Sequence, residues 1–298
     1  MLYTHGDAAL ITITGAGGET FTVSGPGAGS EGIELATNPE GLIDEAPIKT
    51  IWQQSAFQEG ATYLGHTIEP LDLVLKFNLV GDYHDWDDID SRFHKAFHPQ
   101  HPATIHYTTH SSGTRTLDVV KLEHATTTST YDPHILQHST LVLTLRAPYP
   151  FWKAATTTHQ LTFTNTSTQT ITIENPTDRP IWPQWALSAP GRYELPDYSF
   201  VTDPDHPDYP RRARSIITPT LSRGQDLVID SYPRHETYQV ADGSAIAGRF
   251  GGVEFLYPIP PHTPPTPVQV KCLDSGGSRN LVELKLEHYY TRPFGGTQ

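Results

Sequence analysis

The sequence predicts an all-β protein with two β-sandwich or barrel-like domains and one α-helix in the first of them. Its 298 residues include 23 Gly and 26 Pro, while charged residues make up only 18%. Gly and Pro favour turns, and the abundant Thr favours strands. Short segments of alternating apolar and polar residues recur along the chain, as expected for half-buried strands. In contrast, a helical repeat is seen at about residues 86–97.

The alternating segments of the first half predict strands that each have one buried face. Leu10 to Thr14 and Thr20 to Ser24 are separated by a Gly-rich turn, and residues 71–79 alternate strictly. Residues 103–108 and 115–123 flank a Ser-Ser-Gly turn, which predicts a hairpin.

A long hairpin region is predicted between Lys49 and Val80. Its expected arms are Ile51 to Phe57 and Tyr63 to Ile68. Polar residues stand at alternate positions of these strands. We therefore expect one strand face to pack within the subunit and the strand edges to be free to pair with another chain.

An amphipathic helix is predicted at about residues 86–97. Its apolar stripe recurs at steps of three and four residues and consists of Trp86, Ile89, Phe93 and Phe97. Asp85 is the expected N-cap, acidic residues in the first turns suit the helix dipole, and Pro99 ends the helix. We expect this helix to close one end of a β-sheet.

A domain boundary is predicted near Ala154. Pro148 and Pro150 end the preceding strand, and the alternating pattern starts again at residues 160–164. Such a Pro-rich seam is typical of a boundary between two folding units. The predicted domains are therefore residues 1–154 and 155–298.

Charge and cysteine usage limit the classes of function. The formal net charge is −13, so the chain repels phosphate backbones and anionic membranes, and binding to neither is expected. Cys272 is the single cysteine of the sequence, which excludes an internal disulfide and favours synthesis in a reducing cytosol. The first ten residues have neither a basic stretch nor a long apolar run, so no signal peptide is expected.

Four local signatures follow one another along nearly the whole chain. They are Leu145-Arg-Ala-Pro-Tyr-Pro-Phe-Trp152; Ile173-Glu-Asn-Pro-Thr-Asp-Arg-Pro-Ile-Trp-Pro183; Leu227 to Asp230 with Asp242-Gly243 and Phe255 to Pro261; and Tyr289-Tyr-Thr-Arg-Pro-Phe-Gly295. In this order they resemble the distal tail protein family of long-tailed bacteriophages. The abundance of Thr and His is also similar to that of tail proteins from mycobacterial-type phages.

The resemblance implies a ring-forming N-terminal β domain and a galectin-like β-sandwich behind it. It further implies a non-enzymatic virion protein, made in the host bacterial cytoplasm, whose ring is a hexamer. The implied partners are the tail tube protein, the tape measure protein and the tail-tip hub or baseplate proteins. The usual Pro-Pro-Gly turn of the family is replaced here by Pro260-Pro-His-Thr-Pro264, which leaves the conformation of this loop open.

Two groups of residues are the candidate sites of such a ring. Contacts with the next subunit are expected from the hairpin region, at Trp52, Gln54, Phe57 and Tyr63. A lumen lined by acids repels phosphates and lets DNA slide. The candidates for that lining flank the contact region and are Glu40, Asp44, Glu45 and Glu59.

Three patterns that suggest ligand sites are interpreted as structural. His94 and His98 have metal-ligand spacing on the helix, but the H-E-x-x-H arrangement is missing. The acids around Asp85 lack the Gly and the Glu that an EF-hand needs. The loop from Gly25 to Gly29 lacks the Lys-Ser/Thr of a phosphate loop. The sequence therefore predicts no cofactor, no metal and no catalytic residue.

Two other functions stay open at this point. A carbohydrate-binding adsorption module could recognise host-envelope glycans through the aromatic residues Trp182, Trp185, Tyr193 and Tyr198, although such residues more often fill sandwich cores. An accessory domain of a cell-wall hydrolase is the third possibility. Oligomeric state separates the ring from both alternatives. A basic cluster, expected to make an intersubunit contact, consists of Arg211, Arg212 and Arg214.

Overall fold

The computed structural model describes residues 8–81 and 85–296. The first seven residues, on which most of the signal-peptide expectation rests, lie outside this range. The contacts divide the chain into two compact units. The first unit comprises the residues up to Ala154 together with Tyr290–Gly296, and the second comprises Ala155–Tyr289. Residues Tyr290–Gly296 thus belong to the first unit, whereas the predicted division assigned them to the second.

The described chain consists mainly of short strands. In the first half they are β1 Leu10–Thr14, β2 Thr20–Ser24, β3 Ile33–Leu35, β4 Ile48–Gln53, β5 Thr62–Ile68, β6 Leu71–Val80, β7 Ala103–Thr109, β8 Gly113–Lys121, β9 Thr126–Thr128, β10 His138–Ala147 and β11 Trp152–Lys153. In the second half they are β12 Thr157–Phe163, β13 Ser167–Asn175, β14 Gln184–Leu187, β15 Arg192–Pro196, β16 Ser215–Ile217, β17 Leu227–Asp230, β18 Tyr238–Val240, β19 Thr263–Asp274, β20 Asn280–Leu286 and β21 Tyr289–Tyr290. The α-helices are α1 Trp86–Lys95 and α2 Pro133–Leu136, and two 3-10 turns span Tyr209–Ala213 and Ala247–Phe250.

The first unit is built on one ten-stranded sheet. Seven strands follow the order β2-β1-β7-β8-β10-β6-β3, while β9 pairs with β10 and β11 pairs with both β8 and β21. The sheet is barrel-like and nearly closed. The long antiparallel pair of β6 and β10 runs from Leu71 opposite Ala147 to Val80 opposite His138, with alternate side chains buried. The predicted all-β fold class is therefore confirmed.

Phe93 on α1 is the centre of an aromatic cluster in the core of the first unit. Its ring centroid lies 5.1 Å from that of Phe21 on β2 and 4.9 Å from that of Phe77 on β6, in both cases edge to face. The ring of Phe97 is the third neighbour, with its centroid 5.2 Å from that of Phe93. Trp86 is buried at the start of α1, where its Nε1–H donates a 3.0 Å hydrogen bond to Ser139 Oγ. The apolar stripe of the helix therefore packs against the sheet.

The helices differ from the prediction in two respects. The α1 helix ends at Lys95 rather than near residue 97, because the next backbone N–H groups bond three residues back, at Phe93 and His94. The second difference is α2, which was not predicted. It is only four residues long, with Asp132 as its N-cap and Pro133 in the first turn, and is too short to give a helical repeat.

The second unit has two antiparallel sheets around one apolar core. The five-stranded sheet has the order β12-β20-β14-β17-β18, and the four-stranded sheet has the order β13-β19-β15-β16. Trp185 on β14 and Tyr193 on β15 belong to this core and are only 2% and 0% exposed. Burial raises the pKa of the Tyr193 hydroxyl to about 12. Both rings occupy inward strand positions and fill the core of the sandwich, so neither is available to stack on a glycan.

Candidate functional site

The candidate site is a hairpin that we call the arm, formed by β4, β5 and the connecting residues 54–61. The two strands pair only with each other within the described chain. Every side chain of β4 is exposed, and β5 is nearly as open. The expectation that one strand face packs within the subunit is therefore wrong for β4 and β5, although β6 of the same predicted region does bury alternate side chains. The strand bounds also differ, because residues 54–57 belong to the connecting loop rather than to β4.

The register of the arm collects aromatic side chains on one face. An irregularity between Ile51 and Trp52 places Trp52 opposite Tyr63, and the two rings meet edge to face at 5.2 Å. Trp52 Nε1–H donates to Thr50 Oγ1 at 2.9 Å, and Tyr63 Oη lies 2.6 Å from His66 Nδ1. These contacts hold the rings in place while more than half of the Trp52 side chain is exposed.

Phe57 occupies the tip of the arm and is fully exposed. Its backbone has φ +67°, a left-handed conformation that is costly for a bulky residue. The turn around it is held by Gln58, whose side chain accepts from the Ser55 N–H at 3.0 Å and donates to Thr62 Oγ1 at 3.0 Å. The loop is therefore ordered in a way that presents the Phe57 ring to solvent.

The arm exposes more apolar surface than a subunit on its own would be expected to leave open. Sequence reasoning identified Trp52, Phe57 and Tyr63 but missed the further exposed side chains of Ile48, Ile51 and Leu64. An isolated two-stranded hairpin is marginally stable in water, and exposed apolar patches of this kind mark interaction surfaces. The fourth predicted contact, Gln54, is exposed and lies just beyond the end of β4.

The four acidic candidates for a channel lining are not brought together. Glu40, Asp44 and Glu45 precede β4. Asp44 accepts a hydrogen bond from a backbone N–H at 3.1 Å, and Glu45 lies 3.8 Å from the Arg292 guanidinium. Glu59 is at the tip of the arm. The rise along β4, which lies between Glu59 and the other three acids, is about 17 Å. Two of the four carboxylates therefore have structural partners.

A second exposed apolar patch lies around α2 in the same unit. It is formed by Tyr131, Ile135 and Leu136, of which Tyr131 and Ile135 are more than 70% exposed. Asp132 fixes the turn, since its carboxylate accepts from both the backbone N–H and the ring Nδ1 of His134 at 3.0 Å. These hydrogen bonds hold the pKa of Asp132 below its usual range. This patch was not predicted from the sequence, because α2 itself was not predicted.

The basic cluster is used mostly inside the second unit. Arg214 forms an ion pair with the buried carboxylate of Asp197, and Arg211 donates to Asp208 Oδ1 at 3.0 Å. Arg212 differs from both, since its guanidinium lies 3.7 Å above the ring of Tyr209. The expectation of an intersubunit contact is therefore not supported for Arg211 and Arg214.

The residues considered for ligand sites have ordinary surroundings. His94 Nδ1 lies 2.9 Å from the backbone oxygen of Asp90, and the rings of His98 and His101 lie 4.8 Å apart. Within residues 8–81 and 85–296, no three His, Cys, Asp or Glu side chains are arranged to hold a metal. Burial raises the pKa of the Cys272 thiol, as expected for a core cysteine. Over the same residues, no helix has the length and apolarity needed to cross a membrane.

Two phage proteins match the sequence over nearly its full length. Minor tail protein Gp27 of Mycobacterium phage L5 is 26% identical over 341 aligned residues, covering 96% of this chain and 98% of the relative. Minor tail protein Gp27 of Mycobacterium phage D29 matches with the same identity and coverage. No protein-family model matches the chain.

The fold has a counterpart among solved structures. The crystal structure of SPP1 Dit, described as a hub of the adsorption apparatus in phages that infect Gram-positive bacteria, superposes with a TM-score of 0.59. The match covers 94% of this chain and 99% of that protein. Because the sequence identity is 11%, it shows a similar fold only. The chain is therefore similar in sequence to phage minor tail proteins and similar in fold to SPP1 Dit.

Proposed function

We propose that this protein is a non-enzymatic structural component of the tail tip that closes into a ring, a hexamer as the family resemblance implies. The observation that carries the proposal is the arm, which exposes Trp52, Phe57 and Tyr63 on a hairpin without a partner strand among the described residues. Such a hairpin gains stability when its apolar faces are covered by another chain.

A ring also needs a second, different surface on each subunit. Head-to-tail contacts join two unlike patches, and they close when the rotation between neighbours divides a full circle. The first unit has two unlike apolar patches, the arm and the α2 surface around Tyr131 and Ile135. We assign the α2 surface as the acceptor for the arm of the neighbouring subunit, so that each subunit uses both patches once.

The lumen of this ring is proposed to be acidic. The chain carries a formal charge of −13, and carboxylates facing a channel repel DNA phosphates. Glu40 and Glu59 are the better candidates for this lining, because Asp44 and Glu45 already make contacts within the chain.

The partners follow from the same proposal. The ring joins the tail tube protein and the tape measure protein on one side to tail-tip hub or baseplate proteins on the other. The protein is made in the cytoplasm of the host bacterium and ends in the virion. No enzymatic role is proposed, because neither the sequence nor the described side chains single out a catalytic group.

The test is the mass of the intact protein in solution. The 33.0 kDa chain should assemble to about 198 kDa, which is the mass of a hexamer. The arm variant Trp52→Ser/Phe57→Ser/Tyr63→Ser should be a folded monomer, because its exposed anchors are lost. A wild-type protein that stays monomeric at high concentration would contradict the proposal.

A matched control separates loss of the arm from a general loss of exposed apolar surface. Ile217, Val228 and Leu281 are exposed to about the same extent as Trp52 and Tyr63, but lie on strands of the second unit. The triple serine variant at these positions should assemble like the wild type. Equal loss of assembly in both triple variants would show that the arm has no special role.

A further inference from the structure

An open groove of about 400 Å³ lies on the second unit, and none of the residues used in the ring proposal lines it. One wall is formed by Tyr198 and Phe200, at the start of the loop after β15, and by Arg212. The other wall is the turn before β19, with Pro260 and His262. This volume is in the range of sites that hold small ligands.

Both walls contain a strained residue. Phe200 has φ +56° and His262 has φ +55°, and among the described residues of the second unit these are the two with a left-handed backbone that are not glycine. This conformation is unfavourable for a residue with a side chain, and residues that adopt it cluster at functional sites. His262 stands at the third position of the Pro-Pro-x turn, where the family resemblance implies glycine. The chain thus keeps the glycine-like backbone and places a side chain at the groove.

The proline-rich wall is held in place by a buried amide. Asn175 is fully buried, and its Nδ2 donates to the backbone oxygens of Ile259 at 3.0 Å and Pro260 at 2.9 Å. The His262 N–H in turn donates to the backbone oxygen of Thr177 at 3.1 Å. The backbone at His262 is therefore held against the core.

The opposite wall is held by a buried carboxylate. Asp197 is 3% exposed and accepts from the backbone N–H groups of Leu256 and Tyr257 at about 3.1 Å, in addition to its ion pair with Arg214. Ser199 Oγ donates to the backbone oxygen of Asp208 at 2.9 Å. The loop between Tyr198 and Arg212 is thus fixed on both sides, which gives a preformed groove.

The charge of the groove is opposite to that of the chain. None of the described residues that line it is acidic, although the chain has a net charge of −13. The Arg212 guanidinium is held over Tyr209 and, within residues 8–81 and 85–296, makes neither an ion pair nor a hydrogen bond. A guanidinium fixed in this way can bind a carboxylate or a phosphate through two parallel hydrogen bonds.

The walls also favour a carbohydrate over an extended peptide. Prolines lack the backbone N–H that an added peptide strand would require, and Pro260, Pro261 and Pro264 are three of the lining residues. Aromatic rings such as those of Tyr198 and Phe200 offer flat apolar faces, against which the faces of sugar rings stack.

We propose that this groove binds an acidic saccharide, a carbohydrate that carries a carboxylate or a phosphate group. Arg212 binds the anionic group, His262 contributes a polar contact from the opposite wall, and Tyr198 and Phe200 stack on the sugar. The proposal does not depend on ring formation, because all these residues belong to the second unit.

The test uses the intact protein on an array of oligosaccharides in matched acidic and neutral pairs, with uronic acids and phosphate esters as the acidic members. The strongest acidic member is then titrated by calorimetry against the wild type and three variants. Arg212→Gln should weaken binding by about tenfold or more, the equivalent of one lost charge-assisted contact. His262→Gly should weaken it several-fold without lowering Tm, because glycine suits φ +55°.

The control is Arg279→Gln, which removes an exposed arginine from another turn of the second unit and should leave the affinity unchanged. The proposal is overturned if the protein binds no oligosaccharide on the array, or if it binds the neutral and acidic members of each pair equally. It also fails if Arg212→Gln and His262→Gly both bind as tightly as the wild type, because the saccharide then binds elsewhere.

Discussion

The guanidinium of Arg115 donates a 2.6 Å hydrogen bond to the backbone oxygen of Gly295, a residue 180 positions further along the chain. Arg115 also donates to the backbone oxygen of Arg292 at 2.8 Å and lies 3.4 Å above the ring of Tyr290. Arg115 is 1% exposed. Residues Tyr290–Gly296 are therefore part of the first unit and are held there by a buried cation.

Replacing Arg115 by Met should destabilise the first unit by about 3 kcal/mol or more, because two buried carbonyl oxygens lose charged donors. Chemical unfolding of the full chain measures the change. Arg146→Met is the control, since Arg146 pairs with Asp72 at the surface and both side chains are at least 40% exposed. Equal losses in the two variants would contradict the role of Arg115.

A fragment of residues 1–154 should be less stable than the first unit of the full chain. It retains Arg115 but lacks the carbonyl groups that the guanidinium binds. Adding a peptide of residues 287–296 should raise its Tm, and a peptide with the same composition in scrambled order should not. A fragment as stable as the intact unit would show that the C-terminal segment contributes little.

Phe93→Ala should destabilise the protein by about 3–5 kcal/mol, because it removes a fully buried ring from the aromatic cluster with Phe21 and Phe77. The double variant His94→Ala/His98→Ala should lose less than about 1 kcal/mol, since His94 is only partly buried and His98, beyond the end of α1, is exposed. Thermal unfolding with and without a chelator measures both. A large loss in the His variant that a chelator reproduces in the wild type would indicate a metal site instead.

Phe57→Gly should change stability and assembly in different directions. Glycine relieves the left-handed backbone at φ +67°, so the free energy of unfolding should stay the same or rise by up to about 1 kcal/mol. Assembly should weaken, because the exposed ring at the tip of the arm is lost. A combination of unfolding and mass measurements checks this pair of effects. Unchanged assembly would remove Phe57 from the contact.

The second unit should lose stability below about pH 6.5 through His288. Burial holds the pKa of this imidazole below 6.5, and within the described residues its buried Nδ1 has no hydrogen-bond partner. Above pH 6.5 the ring is neutral in the folded and unfolded chain. Below it, the unfolded chain takes up a proton that the folded chain does not, so the free energy of unfolding falls until the pH reaches the lowered pKa.

His288→Gln should flatten this part of the curve of stability against pH. His206→Gln, on an exposed loop, should leave it as steep as in the wild type. The two variants are compared by their unfolding midpoints, measured from pH 7.5 down to the lowest pH at which the protein stays folded. A curve that is equally steep in both variants would exclude His288 as the cause.

The elements that the sequence predicted well are those with a clear periodicity. The stripe around Phe93 gave the position of α1, and strict alternation gave β6. The α2 turn was missed because four residues show no periodicity. The return of Tyr290–Gly296 to the first unit was also missed, since contacts with Arg115 over nearly 180 residues leave no local signal.

The candidate sites were predictable only in part. Trp52 and Tyr63 were identified as contacts, but their pairing depends on a register irregularity that alternation does not reveal. For Trp185 and Tyr193 the sequence left two interpretations open, because an aromatic residue in a strand shows the same pattern whether it faces the core or solvent. The groove with Arg212 and His262 combines two distant loops and became visible only in the folded chain.

The central claim, that the arm reaches a neighbouring subunit, is tested most directly by a photo-crosslinking amino acid at position 57 of the full chain. Irradiation should give crosslinked products with masses of up to six times 33.0 kDa. The peptides crosslinked to position 57 should come from the first unit of another copy. The same group at position 228 should give monomers. Crosslinks from position 57 that stay within one chain, or that are no more frequent than those from position 228, would contradict the account.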